Sequence, residues 1–438
     1  MKIELISPAV EENAPIPNLA LPILARLTPP DVKISFTDDL LTPIDLQKDL
    51  KDVDLVGITV LTKTALRAYQ IADAYRKRGV SVVLGGIHPT ALPEEAKEHA
   101  DAVVIGEAEE IWPQLIEDVK TGDLKSFYRQ ESLIDLSKIP RPLREILPRK
   151  GYFPLDVVQV SRGCPFRCEF CSVRKFFGDT YRFRPISDVM EEVKNLRHRL
   201  ILFNDDNILG SPSYSKELLS ALIPLRKRWI GQASLSGLKE EKNIALLAES
   251  GCIGLLIGFE SLSKTNLIRS QKFQNDPAEY REIIETLHRF GITIWGSFIF
   301  GFDEDDLSVF EETVAFTIRS KIFSAVFALL TPYPETPFYQ RIKQEGRLTQ
   351  DQWWLLKRPE EFAPYFIPKK MSGEALREGW KRAWKDFYSF SSIMKRFHWN
   401  YPPTLVNRLI YFPFQWVQHR FTQKKIIEGR QRYRRRSF

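Results

Sequence analysis

The sequence predicts an α/β protein: a Rossmann-like parallel sheet, a partial barrel of six β–α units, and a mostly helical C-terminal region. Two successive runs of short apolar segments alternating with amphipathic ones carry that expectation, because strands separated by helices build parallel sheets covered on both faces. The alternation then stops near residue 331, where Thr331-Pro-Tyr-Pro-Glu-Thr-Pro opens an irregular stretch. The chain has 438 residues and is 43% hydrophobic. That is length for about three domains and too apolar for disorder throughout. Four cysteines are too few for a disulfide-stapled secreted fold.

In the first run, strands are expected at 2–6, 33–36, 55–58, 80–84 and 102–105. Helices are expected at 64–78, stopped by Gly79, and at 109–120, just before Gly122. Pro140, Pro142 and Pro148 lie among charges after it, which reads as a linker. The second run has apolar segments at 157–160, 200–203, 229–233, 253–259, 293–300 and 324–330. Its clearest helix is 278–290, with Asp276 as N-cap, Pro277 in the first turn and Gly291 past the end. The divisions that follow are 1–125, a linker at 126–150, a barrel at 151–335 and a helical region at 336–438.

The net charge is +7, and the eight basic residues from Arg420 onward, against the single acid Glu428, account for all of it. The body is neutral, so a nucleic-acid groove has little support. The start, Met-Lys-Ile-Glu-Leu-Ile-Ser-Pro, does not read as a secretory signal, and no apolar run is long enough to span a bilayer. A cytoplasmic location is expected. The aromatic segment 405–421 before the basic tail suits either a peripheral contact with anionic lipid or a docked terminal helix. Pro413 argues against one long helix there.

The sharpest signal is Ser161-Arg-Gly-Cys164-Pro-Phe-Arg-Cys168-Glu-Phe-Cys171. Three thiolates within eight residues can wrap one metal centre. Structural zinc wants four closed ligands, yet the nearest histidine, His198, is 27 residues beyond Cys171. Cys252 lies within an apolar run and reads as core. A four-iron cluster held by three thiolates leaves one iron open to a substrate or cofactor. The loop follows the first barrel strand, on the rim where barrel active sites are built.

This stretch resembles the radical S-adenosylmethionine superfamily, and the resemblance covers the whole expected barrel. It implies that Cys164, Cys168 and Cys171 hold a [4Fe-4S] cluster whose open iron chelates S-adenosylmethionine. One-electron reduction, from an external donor such as flavodoxin or ferredoxin, then yields a 5′-deoxyadenosyl radical. Phe170 matches the aromatic position that this superfamily uses near the adenine. Asp205, at the end of the second barrel strand, stands where the superfamily holds the methionine moiety; a helix cap is the alternative. Glu260 closes the fourth strand and could accept the ammonium or ribose hydroxyls, or form a salt bridge. Gln232 and Ser234 are weaker candidates at the end of the third strand. Gly301 would let the backbone approach adenine, or serve packing alone.

In the first domain, ligand loops should follow the strands. Three stand out, around Thr59, around Gly85-Gly86-Ile-His88, and around Gly106. No G-x-G-x-x-G follows the first strand, so a dinucleotide is disfavoured. Placed before this barrel, residues 1–120 resemble the cobalamin-binding domain of the cobalamin-dependent subclass. That implies cobalamin bound by Thr59, Gly85, Gly86 and Gly106. Many such domains carry Asp-x-His-x-x-Gly after the first strand, whereas the first histidine here is His88. His88 reads as a satisfied surface imidazole, with an unusual cobalt ligand as the alternative.

The resemblance implies a C-methyltransferase acting on an unactivated carbon. In such methylases one S-adenosylmethionine methylates cob(I)alamin and a second gives the radical. Two alternatives stand beside it: a radical oxidoreductase or cyclase without methyl transfer, and a non-catalytic cobalamin- or membrane-binding module with a structural metal. The substrate expected is a small molecule, a lipid or a tetrapyrrole.

Overall fold

A computed structural model describes residues 1–9, 15–358, 363–397 and 405–427. The first sheet contains β1 (Lys2–Ser7), β2 (Lys33–Asp38), β3 (Leu55–Thr59), β4 (Ser81–Gly85), β5 (Ala102–Ile105) and β6 (Phe127–Arg129). All pairs are parallel, in the order β2-β1-β3-β4-β5-β6. This is the flavodoxin-like form of the doubly wound sheet, with its switch point between β1 and β3. Period-2 alternation covers both faces. Ile3, Leu5, Leu55, Val83 and Val104 pack against helices Ala20–Leu27 and Trp112–Thr121. Ile6, Val56, Ile58, Leu84 and Val103 pack against Ala65–Arg76. β6 lies in the stretch read as a linker; it adds an edge strand beside β5.

The second domain follows with β7 (Asp156–Val158), β8 (Ser161–Gly163), β9 (Tyr181–Phe183), β10 (Leu200–Phe203), β11 (Arg228–Ala233), β12 (Cys252–Glu260), β13 (Thr293–Phe300) and β14 (Ser324–Leu329). β8 and β9 form a small antiparallel ribbon. The other six make one parallel sheet in chain order, β7-β10-β11-β12-β13-β14, with β7 and β14 left as its edges. Successive right-handed crossovers put the helices on one side and curl the sheet into a partial barrel. Phe203, Trp229, Leu255, Phe259, Phe298, Phe300 and Phe327 fill the core beneath those helices. The residues that alternate with them, Ile230, Leu256, Trp295, Ile299 and Val326, face the other way and are incompletely buried.

The C-terminal region ties the two domains together. Trp353, Trp354 and Tyr365 join the core of the first domain. Helix Gly373–Phe387 docks on β14 through Trp380 and Trp384, whose indoles donate to the Phe327 carbonyl. Helix Leu405–Phe421 runs through Pro413, contrary to the expectation. Tertiary contacts offset the hydrogen bond that proline removes: Tyr411 donates to the Ile393 carbonyl, and Gln415 donates to the Phe323 carbonyl and accepts from the buried Arg396. Among the described residues no helix is long and apolar enough to cross a membrane.

Candidate functional site

The cysteine loop is built on the corner between β7 and β8. There the Asp205 carboxylate accepts from the backbone N–H groups of Val160 and Ser161, at 3.0 and 2.5 Å, and from the Ser161 hydroxyl at 2.6 Å. Asp205 is thus occupied as a clamp on the β7–β8 corner; it caps no helix, since the next one, Pro212–Leu222, has Ser211 at its N-cap. Gly163 then turns the chain at a φ of 88°, where a Cβ would lie 2.1 Å from the Thr180 carbonyl. No L side chain fits that turn.

The loop itself is clamped from two sides. The Glu169 N–H donates to the Ser270 carbonyl, its carbonyl accepts from Phe338, and its carboxylate pairs with Arg341 at 2.8 Å. Phe170 lies edge-on to Phe302 at 6.0 Å. Cys164, Cys168 and Cys171 are each partly buried. Burial pushes all three thiols up, Cys171 to about 12, with repulsion from neighbouring cysteines adding at Cys164 and Cys171 and from Glu260 at Cys168. Backbone N–H groups oppose that rise at Cys164 and Cys171, and two side chains oppose it as well. The Lys272 ammonium lowers Cys164 and Cys168, and the Gln274 amide donates to Cys168 Sγ at 3.7 Å.

Three thiols on one short loop offer three corners for a cluster and leave its fourth iron open, whereas structural zinc wants four closed ligands. The donor set therefore fits a [4Fe-4S] group.

Two carboxylates face this loop. Asp206, beside the clamped Asp205, acts on Cys164 and Cys171, and burial lifts it to about 6. Glu260 ends β12 at a φ of 63°, a backbone region that functional sites often hold under strain. Its Oε1 accepts from Lys272 Nζ at 2.8 Å, while Oε2 is buried without a partner. Lys272 is itself buried. Burial alone would depress it, but Glu260 and the nearby cysteines hold it above its ordinary value. Gly258 gives the pair its room, since a Cβ there would meet Glu260 Oε1 at 2.3 Å. An unpaired buried acceptor and an unpaired aspartate beside the cysteine loop fit the ammonium and hydroxyls of S-adenosylmethionine.

Other expected site residues divide. Gln232 is exposed on the inner face, in register with Leu256. Ser234 is buried in reciprocal hydrogen bonds with Asn207, which ties two rim loops together. Gly301 does not offer an open backbone. Its N–H donates to Asp305, and a Cβ there would press on Leu376 and Phe366 of the C-terminal region. Lys272 and Gly258 carried no motif in the sequence; they belong to the site through the fold around Glu260.

In the first domain Thr59, Gly85, Gly86 and Gly106 share one rim at the strand ends. The Thr90 hydroxyl joins them by donating to the Gly86 carbonyl and accepting from the Gly106 N–H. Gly86, at a φ of 107°, would press a Cβ on the Val60 backbone. A rim this free of bulk fits a large planar cofactor approaching the backbone. His88 is not a surface imidazole. It is fully buried. Its Nε2 lies 3.0 Å from Glu95, which also accepts from Tyr69 and Trp354. The C-terminal Trp354, distant in sequence, lies edge-on to it at 5.7 Å, and the imidazole Nδ1 is buried without a hydrogen-bond partner.

A cobalamin-type sheet joined to a cysteine-bearing partial barrel defines a two-cofactor radical enzyme. Family models agree: the B12 binding domain matches residues 15–116, the radical SAM superfamily 158–317, and a domain of unknown function 336–411. The bacteriochlorophyllide d C-12(1)-methyltransferase of Chlorobaculum tepidum is 33% identical over 397 residues, 88% of this chain and 86% of that protein. The C-8(2)-methyltransferase of the same organism is 31% identical, covering 94% of each chain. The solved structure of the cobalamin-dependent S-adenosylmethionine radical enzyme OxsB, with aqua-cobalamin bound, matches 97% of this chain and 72% of that one at a TM-score of 0.69 and 15% identity. The chain belongs to the cobalamin-dependent radical S-adenosylmethionine methyltransferases.

Proposed function

We propose that the enzyme methylates an unactivated carbon of a large, planar, mostly apolar small molecule of the tetrapyrrole class. The observation that carries this reading is the open inner face of the barrel. Ile230, Leu256 and Val326 leave apolar surface accessible there, Val326 being 42% exposed in the middle of a strand, while Trp295 and Ile299 flank it against the clusters around Phe323 and Phe302. That surface lies on β11–β14; Glu260 ends β12, while the cysteine loop and Asp206 follow β8 and β10 of the same domain. An apolar floor beneath a polar rim suits a broad ring whose reacting carbon must be held near the rim. The two relatives above act, by their names, on such a ring.

Bound, the cluster and cobalamin would together supply a carbon radical and a methyl group. The chain's own residues bind and orient. Cys164, Cys168 and Cys171 would hold the cluster. Asp206 and Glu260 would accept the ammonium and ribose hydroxyls of S-adenosylmethionine, and Phe170 would flank its adenine. Thr59, Gly85, Gly86 and Gly106 would receive cobalamin. An external low-potential donor, a flavodoxin or ferredoxin, would reduce the cluster. The exposed face of helix Leu405–Phe421 and the basic tail would touch anionic lipid.

The test is anaerobic turnover of the reconstituted holoenzyme with S-adenosylmethionine and a bacteriochlorophyllide. A singly methylated product, with 5′-deoxyadenosine and S-adenosylhomocysteine in equal amounts, is expected. 5′-Deoxyadenosine without S-adenosylhomocysteine would replace this reading with a cyclase or oxidoreductase.

A further inference from the structure

Four charged side chains join the rim of the first domain to the base of the cysteine loop. Glu107 follows Gly106 directly, and Glu109 stands two residues further on. Arg162 stands two residues before Cys164 on β8, and Arg182 faces it across the ribbon on β9. Arg162 donates to Glu107 at 2.7 Å and to Glu109 at 2.5 Å. Arg182 donates to both Glu107 oxygens, at 2.9 and 3.0 Å, and to the Ile134 carbonyl at 2.6 Å. The Ile134 N–H in turn donates to Glu107.

Burial here is nearly complete, with the Arg162 and Glu107 side chains 8% and 1% exposed. Burial alone would raise Glu107, but the two arginines hold it below the usual carboxylate range. As a source of stability such a cluster is weak, because desolvation offsets much of the attraction. Its distinctive property is geometry. Forked guanidinium–carboxylate pairs fix angle as well as distance, and these fix the two strand-end loops that must meet across the active site. Arg162 and Arg182 are the central residues of the two three-residue ribbon strands.

We infer that Glu107, with Arg162 and Arg182, is a positioning device that sets the cysteine loop against the cobalamin rim and thereby couples radical formation to methyl transfer. This rests on the proposed function. Neither glutamate nor arginine need touch substrate; they act through the loops they hold.

The experiment uses full-length holoenzyme carrying Glu107→Gln, which keeps shape and removes the charge, and Arg162→Lys, which keeps charge and removes the fork. Iron, sulfide and cobalamin content are measured first. The expected result is near-parental cofactor loading, with the ratio of 5′-deoxyadenosine to methylated product rising about 10-fold or more, as misplacement of reacting groups by about an ångström can produce. The magnetic coupling between cob(II)alamin and the reduced cluster, read by EPR, should shift or broaden in the same variants. A merely structural role would lower both products together and leave ratio and coupling unchanged, which would overturn the proposal. If Glu107→Gln does not accumulate, Arg162→Lys carries the test alone. Parent enzyme that forms no methylated product overturns the proposed function, and this inference with it.

Discussion

Two adjacent aspartates divide the work at the end of β10. Asp205 spends its acceptor capacity on Val160 and Ser161, whereas Asp206 has no such donors and is lifted by burial from the ordinary 3.8 to about 6. A carboxyl raised in the folded state prefers to be protonated there. Its contribution therefore falls as pH climbs from about 4 through 6, and the full penalty applies above that range. Asp206→Asn removes the penalty. The unliganded variant should be more stable than the parent by ~1–3 kcal/mol at about pH 8, with the difference fading toward about pH 4, in urea melts. The same variant should bind S-adenosylmethionine about 10- to 100-fold more weakly by calorimetry, the loss of one charged hydrogen bond. Stability gained and affinity lost together mark a group kept for function. Replacing Cys164, Cys168 or Cys171 by Ala should abolish 5′-deoxyadenosine formation and lower bound iron; retained activity would remove the cluster from the site.

Elements with a strong period were legible, and elements held by distant partners were not. All six sheet strands of the barrel appear as apolar runs, because buried parallel strands are continuous in hydrophobicity. The β8–β9 ribbon is Ser-Arg-Gly against Tyr-Arg-Phe. Its apolar alternation spans only Tyr181 and Phe183, and it forms where Asp205, Glu107 and Glu109 hold it, so the pattern is too short to announce a strand. β6, three residues at a sheet edge, is silent for the same reason. The cysteine spacing showed where the site begins, but Lys272 enters it only because the chain after helix Lys264–Arg269 folds back under Glu260. His88 failed in the opposite sense, since a residue packed edge-on to it, Trp354, lies in the C-terminal region. The ribbon's turn into the cysteines gives a direct test. Gly163→Ala adds a Cβ against the Thr180 carbonyl at a left-handed φ, a strain of ~1–3 kcal/mol or more confined to this turn. The variant should keep parental far-UV circular dichroism while losing most of its cluster absorbance after reconstitution. Full cluster loading would show that the loop tolerates another path.

Across the whole molecule, the net positive charge is gathered at the C-terminal end, next to exposed apolar side chains. Helix Leu405–Phe421 buries Tyr411 and Gln415 against the barrel, yet it exposes Leu409 (67%), Trp416 (53%) and Val417 (63%), with Phe390 (70%) beside it. Arg420 lies over the Trp416 ring at 5.4 Å, at the point where the basic residues begin. The last eleven residues, five of them arginine, lie outside the described part of the chain. An apolar aromatic face ending in cations matches the interface of an anionic bilayer, where each basic residue near the surface contributes ~1 kcal/mol and buried apolar area adds to it. With a neutral body behind it, the attraction depends on this end alone. The full chain should therefore sediment with phosphatidylserine-containing vesicles, not with purely zwitterionic ones, and release as salt rises past the concentration that screens surface charge, ~0.1–0.2 M. Removing residues 428–438 should weaken binding at least ~10-fold by that arithmetic. Trp416→Ser should weaken it further and abolish any blue shift in tryptophan emission on vesicle addition. Binding equal on zwitterionic and anionic vesicles would leave only the apolar face at work. No binding to either would return the helix to the role its buried side already performs, closing the barrel beside Phe323.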